Sequence, residues 1–208
     1  MKNLKIITFD LYGTLVDWRT SIERTLSFIL PGSVDEFFEM EIYYLKNMKN
    51  FELYSNVLKN VLKDLLEKHN MIYESDLGNL LTKMFAKSQF FPDAIYGLLK
   101  LKKNYKTAII SNTDHSLIKI TLSGMEDLFD YVVTAEDTGY YKPDENAFKR
   151  AMEIINVKKD FVLHVSSYPQ YDLETAERLG IKNIMLDRYG YSWPRKIKTL
   201  DELLGFIL

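Results

Sequence analysis

No cysteine occurs anywhere in the 208 residues, which excludes disulfides, thiolate zinc sites and a cysteine nucleophile. A block of basic charge is missing too: 27 Lys and Arg against 29 Asp and Glu leave a net charge of -2, with the lysines scattered along the chain. That pattern carries no electrostatic footprint for nucleic acid or an anionic membrane surface. A small-molecule substrate is the expected partner, with no nucleic acid and no membrane, and the protein is expected to be a monomer or homodimer. No apolar run approaches the ~20 residues of a membrane span, and there is no internal repeat or low-complexity tract. The opening "MKNLKIITFDLYG" places charge and a turn where a signal peptide needs a long apolar stretch, so a cytoplasmic location is expected. What is present is an apolar content of 47%, ample for one large domain or a domain carrying a smaller insert.

Short runs rich in Ile, Val and Phe recur at Leu4 to Phe9, Tyr105 to Ile110, Tyr131 to Thr134, Phe161 to Val165 and Ile181 to Leu186. The later ones alternate with helical patterns, which predicts a parallel α/β sheet. Between the first and second runs, from about Val16 to Phe90, the period is helical throughout: Ile22, Leu26 and Ile29, then Phe38, Ile42 and Leu45, then Leu53, Val57, Val61 and Leu65. No convincing strand lies in this insert. Pro31 and Gly32 stop its first helix, and Ser33 with Glu36 predicts a capping box for the next. "FFPDA", Phe90 to Ala94, reads as the return hinge.

In open parallel sheets ligands bind outside the carboxyl ends of the strands, near the switch point. The residues that follow each strand are therefore the informative ones. After the first run come Asp10, Tyr12, Gly13 and Thr14; after the second, Ser111 and Asn112; the third leads to Lys142; the fourth is followed by Ser166, Ser167 and Asp172. An isolated ionised carboxylate is expensive to desolvate, so a buried strand that ends on Asp10 has a use for it.

The set "DLYGTLVDW", "ISNTD", "YKPD" and the later Asp172 resembles the motif pattern of the haloacid dehalogenase superfamily, and most of all its type II 2-haloacid dehalogenases. The resemblance covers nearly the whole chain. It implies an α/β fold: a three-layer Rossmann-like core with a central parallel β-sheet, residues 1–15 and 91–208, and an inserted α-helical cap subdomain, residues 16–90. Inward cap aromatics, with Phe38, Tyr43, Tyr44 and Tyr54 as candidates, would then exclude water and select small substrates.

Asp10 is the candidate nucleophile, because a carboxylate can displace a leaving group and divide one hard step into two. Thr14, Ser111 and Asn112 can donate hydrogen bonds to it or to a substrate oxygen, although Asn112 and Thr113 could instead merely start the next helix. Lys142 would neutralise Asp10 and hold it ionised. Tyr12 occupies the position where the superfamily's phosphatases resemble one another in a second aspartate that protonates a departing alkoxide. A phenol with a reference pKa of about 10 is no substitute. A departing halide needs no proton, so the site suits carbon-halogen displacement.

The metal-dependent members resemble one another in an acidic residue where this chain has Ser167, and magnesium wants several oxygen ligands including carboxylates. No metal and no cofactor are therefore expected, with magnesium the alternative for a phosphatase. Asp172 would position or deprotonate the hydrolytic water, or else cap the helix of "LETAERLG". Tyr12, Ser167 and Tyr44 are candidates for substrate contact. The resemblance breaks at two places. An expected cap arginine is replaced in "FFEMEIYYLKNM" by Glu39 and Glu41, leaving Arg19 and Lys46 as substitutes, and "SSYPQYD" puts Tyr168 and Pro169 where an asparagine turn is expected. Of the three histidines, His164 reads as a core residue, His69 follows a lysine-rich helix end and His115 lies just past "SNTD". The expected activity is hydrolysis of a 2-haloacid through an aspartyl ester; the alternatives are a phosphatase of a small metabolite and a noncatalytic binding protein on the same fold.

Overall fold

Ile6–Phe9 forms β1, and all of its side chains are buried, as a strand covered on both faces requires. The computed structural model describes residues 4–207; Met1–Asn3 and Leu208, at the outer ends of the expected core, lie outside the described residues. Short strands β2 (Val16–Asp17) and β3 (Gln89–Phe90) stand at the two ends of the insert, where strand was not expected. A two-residue strand is too short to leave a periodic signal. Next come β4 (Lys106–Ser111), β5 (Tyr131–Thr134), β6 (Val162–Ser166), β7 (Lys182–Leu186) and β8 (Lys196–Ile197).

The main sheet has the order β5-β4-β1-β6-β7-β8, and its pairings are parallel. Five of its strands coincide with the predicted runs to within a residue or two, while the edge strand β8, two residues long, was not expected. Because β4 and β5 lie on one side of β1 and β6 to β8 on the other, the order reverses beside β1. The carboxyl end of β1 is therefore the switch point at which such sheets bind ligands.

Helices α1 (Trp18–Ile29), α2 (Val34–Asn47), α3 (Tyr54–Lys68) and α4 (Ser75–Ala86) fill the insert. They are followed by α5 (Ala94–Leu101), α6 (His115–Thr121), α7 (Ala135–Thr138), α8 (Glu145–Ile155), α9 (Glu174–Arg178) and α10 (Glu202–Ile207). The chain forms two compact units: Met1–Asp17, Phe90–Asn112 and Gly124–Leu208 in one, Trp18–Gln89 with Thr113–Ser123 in the other.

In the first unit, Ile6, Ala108, Ile110, Val133 and Val162 from the sheet pack with Phe148, Ala151 and Ile155 of α8 and Ala176 of α9. Burial of this apolar face contributes roughly 25 cal/mol per Å². Among the described residues, no helix is long and apolar enough to cross a membrane.

The helical unit departs from its sequence pattern in three ways. Thr113–Ser123, expected in the core, belongs here, because α6 packs on α4 and the Thr121 hydroxyl donates to the Ala86 carbonyl (2.9 Å). Helix α2 buries Phe37, Glu41 and Leu45 in place of the expected Phe38, Ile42 and Leu45. The Tyr54 phenol donates to the Glu41 carboxylate (2.8 Å), so a charged residue takes an inner position that an apolar period cannot reveal. Tyr43 lies off that stripe and is exposed, not inward. Finally, Ser33 and Glu36 make no capping box: the Ser33 hydroxyl donates to the Leu30 carbonyl, while Glu36 pairs with Lys68 and His69. The capping box sits instead at Thr134 and Asp137, starting α7.

Gly97 of α5 tests the packing of the first unit, since an added Cβ would lie 2.7 Å from the Leu200 Cβ. That atom is fixed to the backbone and cannot swing away. Gly97→Ala should thus lose more to overpacking, about 1–3 kcal/mol, than the roughly 1 kcal/mol that helix propensity returns. Urea unfolding should show a lower midpoint than the parent at an unchanged slope.

Candidate active site

Asp10 leaves β1 in extended register, its N–H donating to the Val165 carbonyl of β6 (3.0 Å). The chain then turns sharply, with the Thr14, Leu15 and Val16 amides all donating to the Leu11 carbonyl. Gly13 has φ +89, and a Cβ there would lie 2.1 Å from the Tyr168 hydroxyl oxygen, so both conformation and space require glycine. This turn brings Thr14 back over the nucleophile candidate. Its hydroxyl donates to Asp10 Oδ2 (2.7 Å) and accepts from the Ser167 N–H (2.9 Å).

Lys142 arrives from the loop between α7 and α8. Asn112, just past β4, clamps its peptide from both sides: the Asn112 amide donates to the Lys142 carbonyl (2.9 Å) and accepts from the Lys142 N–H (2.8 Å). The side chain is thereby aimed inward. Its ammonium donates to Asp10 Oδ1 (2.8 Å), Asp172 Oδ1 (2.7 Å) and the Ile110 carbonyl (2.8 Å), which uses all three N–H groups. Lys142 is 1% exposed, Asp10 5% and Asp172 0%.

A single π-helical turn, Pro169–Leu173, follows β6 and turns Asp172 toward that ammonium. Such turns recur at functional sites. Asp172 makes no helix cap; its Oδ1 also takes the His164 Nε2 (2.9 Å) and its Oδ2 the Ser166 hydroxyl (3.0 Å). In the sequence His164 reads as a core residue, and Ser166 stands only as one of those following the fourth strand, with no role given to it. Their alternation along β6 places both on the Asp172 side, but their residue types alone carried no signal.

The two carboxylates titrate in opposite senses. Burial pushes Asp10 up and the neighbouring Asp172 charge adds to it, which together outweigh Lys142 and Thr14. The expectation that Lys142 would hold Asp10 ionised is thus corrected: the ammonium is shared with Asp172, and burial outweighs its effect on Asp10. For Asp172 burial is again the largest effect, but Lys142 and the hydrogen bond from His164 overcome it and hold the acid below the usual carboxylate range. Burial depresses the Lys142 ammonium, yet Asp10 and Asp172 outweigh that and raise it above the ordinary lysine value.

The other candidates divide. Ser111, at the carboxyl end of β4, is buried, and among the described residues its hydroxyl has no hydrogen-bond partner. Asn112 is spent on the Lys142 backbone, so it positions the lysine and does not face a substrate oxyanion. Ser167 gives its hydroxyl to the Leu186 carbonyl (2.5 Å), which turns it away from the substrate contact expected of it. Tyr12 is buried in the turn, its backbone bridged to Val16.

Asp114, not Asn112 or Thr113, caps α6 by accepting from the Leu117 N–H (3.1 Å). His115 is the first residue of that helix. Tyr44 is not part of this hydrogen-bonded set. In the helical unit its phenol donates to Glu52 (3.3 Å) and accepts from Asn60 (3.0 Å), beside a cavity of about 470 Å³. Arg19 is held by an ion pair to Asp35 and lies over the Phe38 ring (4.9 Å), and Lys46 is on the exposed side of α2.

Sequence reading also missed Arg188, whose Nε donates to the Thr14 carbonyl (3.1 Å) while its guanidinium pairs with Asp93 (2.8 Å) and covers Phe91. It ties the hinge segment to the Asp10 turn. The donor set does not fit magnesium, which wants several oxygen ligands: both carboxylates are turned onto one ammonium, and the Ser167 hydroxyl faces a carbonyl. Among the described residues, no group of three or more His, Asp or Glu could hold a metal ion.

A family model described as haloacid dehalogenase-like hydrolase matches residues 4–180. The chain belongs to this family. Among its relatives, the (S)-2-haloacid dehalogenase 1 of Pseudomonas sp. (strain CBS-3) is 24% identical over 225 residues, covering 100% of this chain and 98% of that protein. The glyceraldehyde 3-phosphate phosphatase of Pyrococcus furiosus is 28% identical over 202 residues, covering 91% and 83%. The crystal structure of L-2-haloacid dehalogenase from Xanthobacter autotrophicus, with chloropropionic acid covalently bound, shares the fold at a TM-score of 0.86 and 19% identity, covering 98% of each chain. The three-layer core expected from the sequence is the fold of this hydrolase family.

In this haloacid dehalogenase-like site the lysine is the member whose loss is most readable. Lys142→Met would leave two buried carboxylates without their counter-charge, which costs about 3–5 kcal/mol at neutral pH. The deficit should shrink as pH falls, because protonating Asp10 and Asp172 removes the unpaired charge. In the parent, Lys142 has a raised folded pKa, so its contribution is complete below the ordinary lysine value and is lost only as pH rises through the higher one. Denaturant unfolding of both proteins from acid to alkaline pH measures each trend.

Proposed function

We propose that the chain is a metal-independent hydrolase that displaces halide from a short (S)-2-haloacid through an ester on Asp10, giving the 2-hydroxyacid with inversion. The observation that carries this reading is the pair of buried carboxylates on one ammonium, with Tyr12 and no third acid in the Asp10 turn. The turn offers no acid to protonate a departing alkoxide. Halide leaves with its electron pair and needs none.

In the first step an Asp10 oxygen attacks the halogen-bearing carbon, the carbon-halogen bond breaks and the ester forms. Lys142 and Thr14 hold the carboxylate in place, and the Ser111 hydroxyl receives a substrate oxygen. In the second step Asp172 takes a proton from water as the water oxygen attacks the Asp10 carboxyl carbon. The carbon-oxygen bond to that carbon breaks, and the proton passes to the departing 2-hydroxyacid. Asp10 is thus restored with one oxygen from solvent and returns to the carboxylate when it releases the second water proton to solvent. The dehalogenase names among the relatives support this reading. The phosphatase name supports a second, a phosphate-ester hydrolase, which magnesium-dependent turnover of glyceraldehyde 3-phosphate would select.

A first turnover in heavy-oxygen water should place the label on Asp10 and not in the product; a labelled first product would end the ester mechanism. Asp10→Asn should cut turnover of (S)-2-chloropropionate by several orders of magnitude while leaving the fold intact, because a neutral amide is a poor nucleophile of nearly the same shape. Chelator should leave the parent rate unchanged.

The raised Asp10 pKa also sets a pH limit. A protonated Asp10 cannot attack, so kcat/KM should fall as pH drops through a value above the usual carboxylate range. A profile flat down to the ordinary aspartate value would contradict that assignment.

A further inference from the structure

His164 stands inside β6, 0% exposed, where its sequence context reads as packing. Its ring edge meets Phe148 of α8 at 5.0 Å in a T-shaped contact. Both nitrogens, however, are engaged: Nε2 lies 2.9 Å from Asp172 Oδ1, and Nδ1 lies 2.9 Å from the Thr8 hydroxyl of β1. An ionised carboxylate only accepts, so Nε2 carries a proton. The Thr8 hydroxyl can donate to Nδ1 or accept from it. The ring is thereby held at both nitrogens, between Thr8 and Asp172.

The Lys142 ammonium has already committed its three N–H groups to Asp10, Asp172 and Ile110. Two carboxylates thus share one ammonium in a buried site. The remaining donors to Asp172 are His164 and Ser166. Of the other charged groups on α8 and α9, Glu174 is exposed and Arg178 lies beside Glu145. Glu177 of α9 accepts from Asn183 and Arg195, and Lys149, Arg150 and Glu153 of α8 form surface ion pairs.

We propose that His164 is the positioning residue for Asp172: its Nε2–H holds that carboxylate as the ionised acceptor and keeps it aimed at the Asp10 ester. The holding of Asp172 stands on this geometry alone. Its consequence for ester hydrolysis rests on the Asp10-ester reading. Hydrogen bonds to the ionised form of an acid favour that form, and the depressed Asp172 pKa agrees in direction. The effect reaches the water-activating half of the reaction and spares the displacement half, in which Asp172 takes no part.

The test uses His164→Phe, which keeps an aromatic ring beside Phe148, and His164→Gln, whose amide restores a neutral donor. In protein carrying carbon-13 aspartate, the Asp172 carboxyl midpoint should rise by about one pH unit in His164→Phe, tenfold in its proton affinity, and return part of the way in His164→Gln. Unchanged midpoints overturn the proposal whatever the protein hydrolyses.

With (S)-2-chloropropionate, His164→Phe should move the acidic limb of kcat up by about one pH unit, a loss of up to about tenfold confined to that limb where Asp172 becomes protonated, with little change in the rate of ester formation. Intact-protein mass spectrometry should then show the Asp10 ester accumulating. A parent enzyme that turns over no haloacid defeats the dehalogenase reading, while the titration still decides His164. A working parent whose His164→Phe variant shows neither shifted titration nor accumulated ester defeats the inference and leaves the dehalogenase reading standing.

Discussion

The ammonium of Lys142, held between Asp10 and Asp172 in a buried site, is the interaction on which the rest of the core depends. Removing two carboxylates and an ammonium from water is costly, and their attraction repays it only when the geometry is good and the remaining lone pairs and protons are satisfied. Each nearby element contributes to that condition. The end of β1 delivers Asp10, Asn112 grips the Lys142 peptide from both sides, and the π turn after β6 swings Asp172 inward. The Ile110 carbonyl takes the lysine's third proton. A lysine in a loop becomes a fixed buried cation only because two strand ends and a turn converge on it.

Sharing one lysine makes the two carboxylates unequal. Asp10 receives Lys142 and Thr14, and Asp172 receives Lys142, His164 and Ser166. The better-supplied acid stays ionised while the other is pushed up by burial and by its neighbour's charge. Pairs of acids driven apart by their surroundings are how one site runs two chemical roles. Here the separation comes from counting donors, since both groups are equally hidden from solvent. It also explains why this pair leaves a poor place for magnesium: the oxygens that a cation would need already face an ammonium.

Thr14 and Gly13 show how the turn serves the same end. The Thr14 hydroxyl links Asp10 to the Ser167 amide, so the turn after β1 and the segment after β6 are joined through the nucleophile candidate. Gly13 lets the Tyr168 ring come against the backbone of that turn. Tyr168 in turn stacks on Tyr189 at 5.3 Å, and Arg188 ties Thr14 to the hinge at Phe91 and Asp93. Tyr168 and Arg188 both fix the backbone that carries the reacting groups, one by packing on Gly13 and the other by donating to the Thr14 carbonyl.

The parallel sheet and the helical insert were determined by the sequence itself, because runs of β-branched residues and helical apolar periods are properties of neighbours along the chain. So was the placement of Asp10, Ser111, Lys142 and Asp172, since residues that follow the strands of a parallel sheet must gather at its carboxyl edge. What those side chains bond to was decided by the tertiary structure. His164 reaches Thr8 across 156 residues, and Ser167 spends its hydroxyl on Leu186. Glu36 leaves a local cap for Lys68 and His69, and Glu41 is buried against Tyr54. A periodic pattern reports which face of an element is apolar. It carries no record of a partner brought near by another element, and such partners set which acid is the better supplied, which serine is turned onto a carbonyl and which asparagine holds a lysine in place.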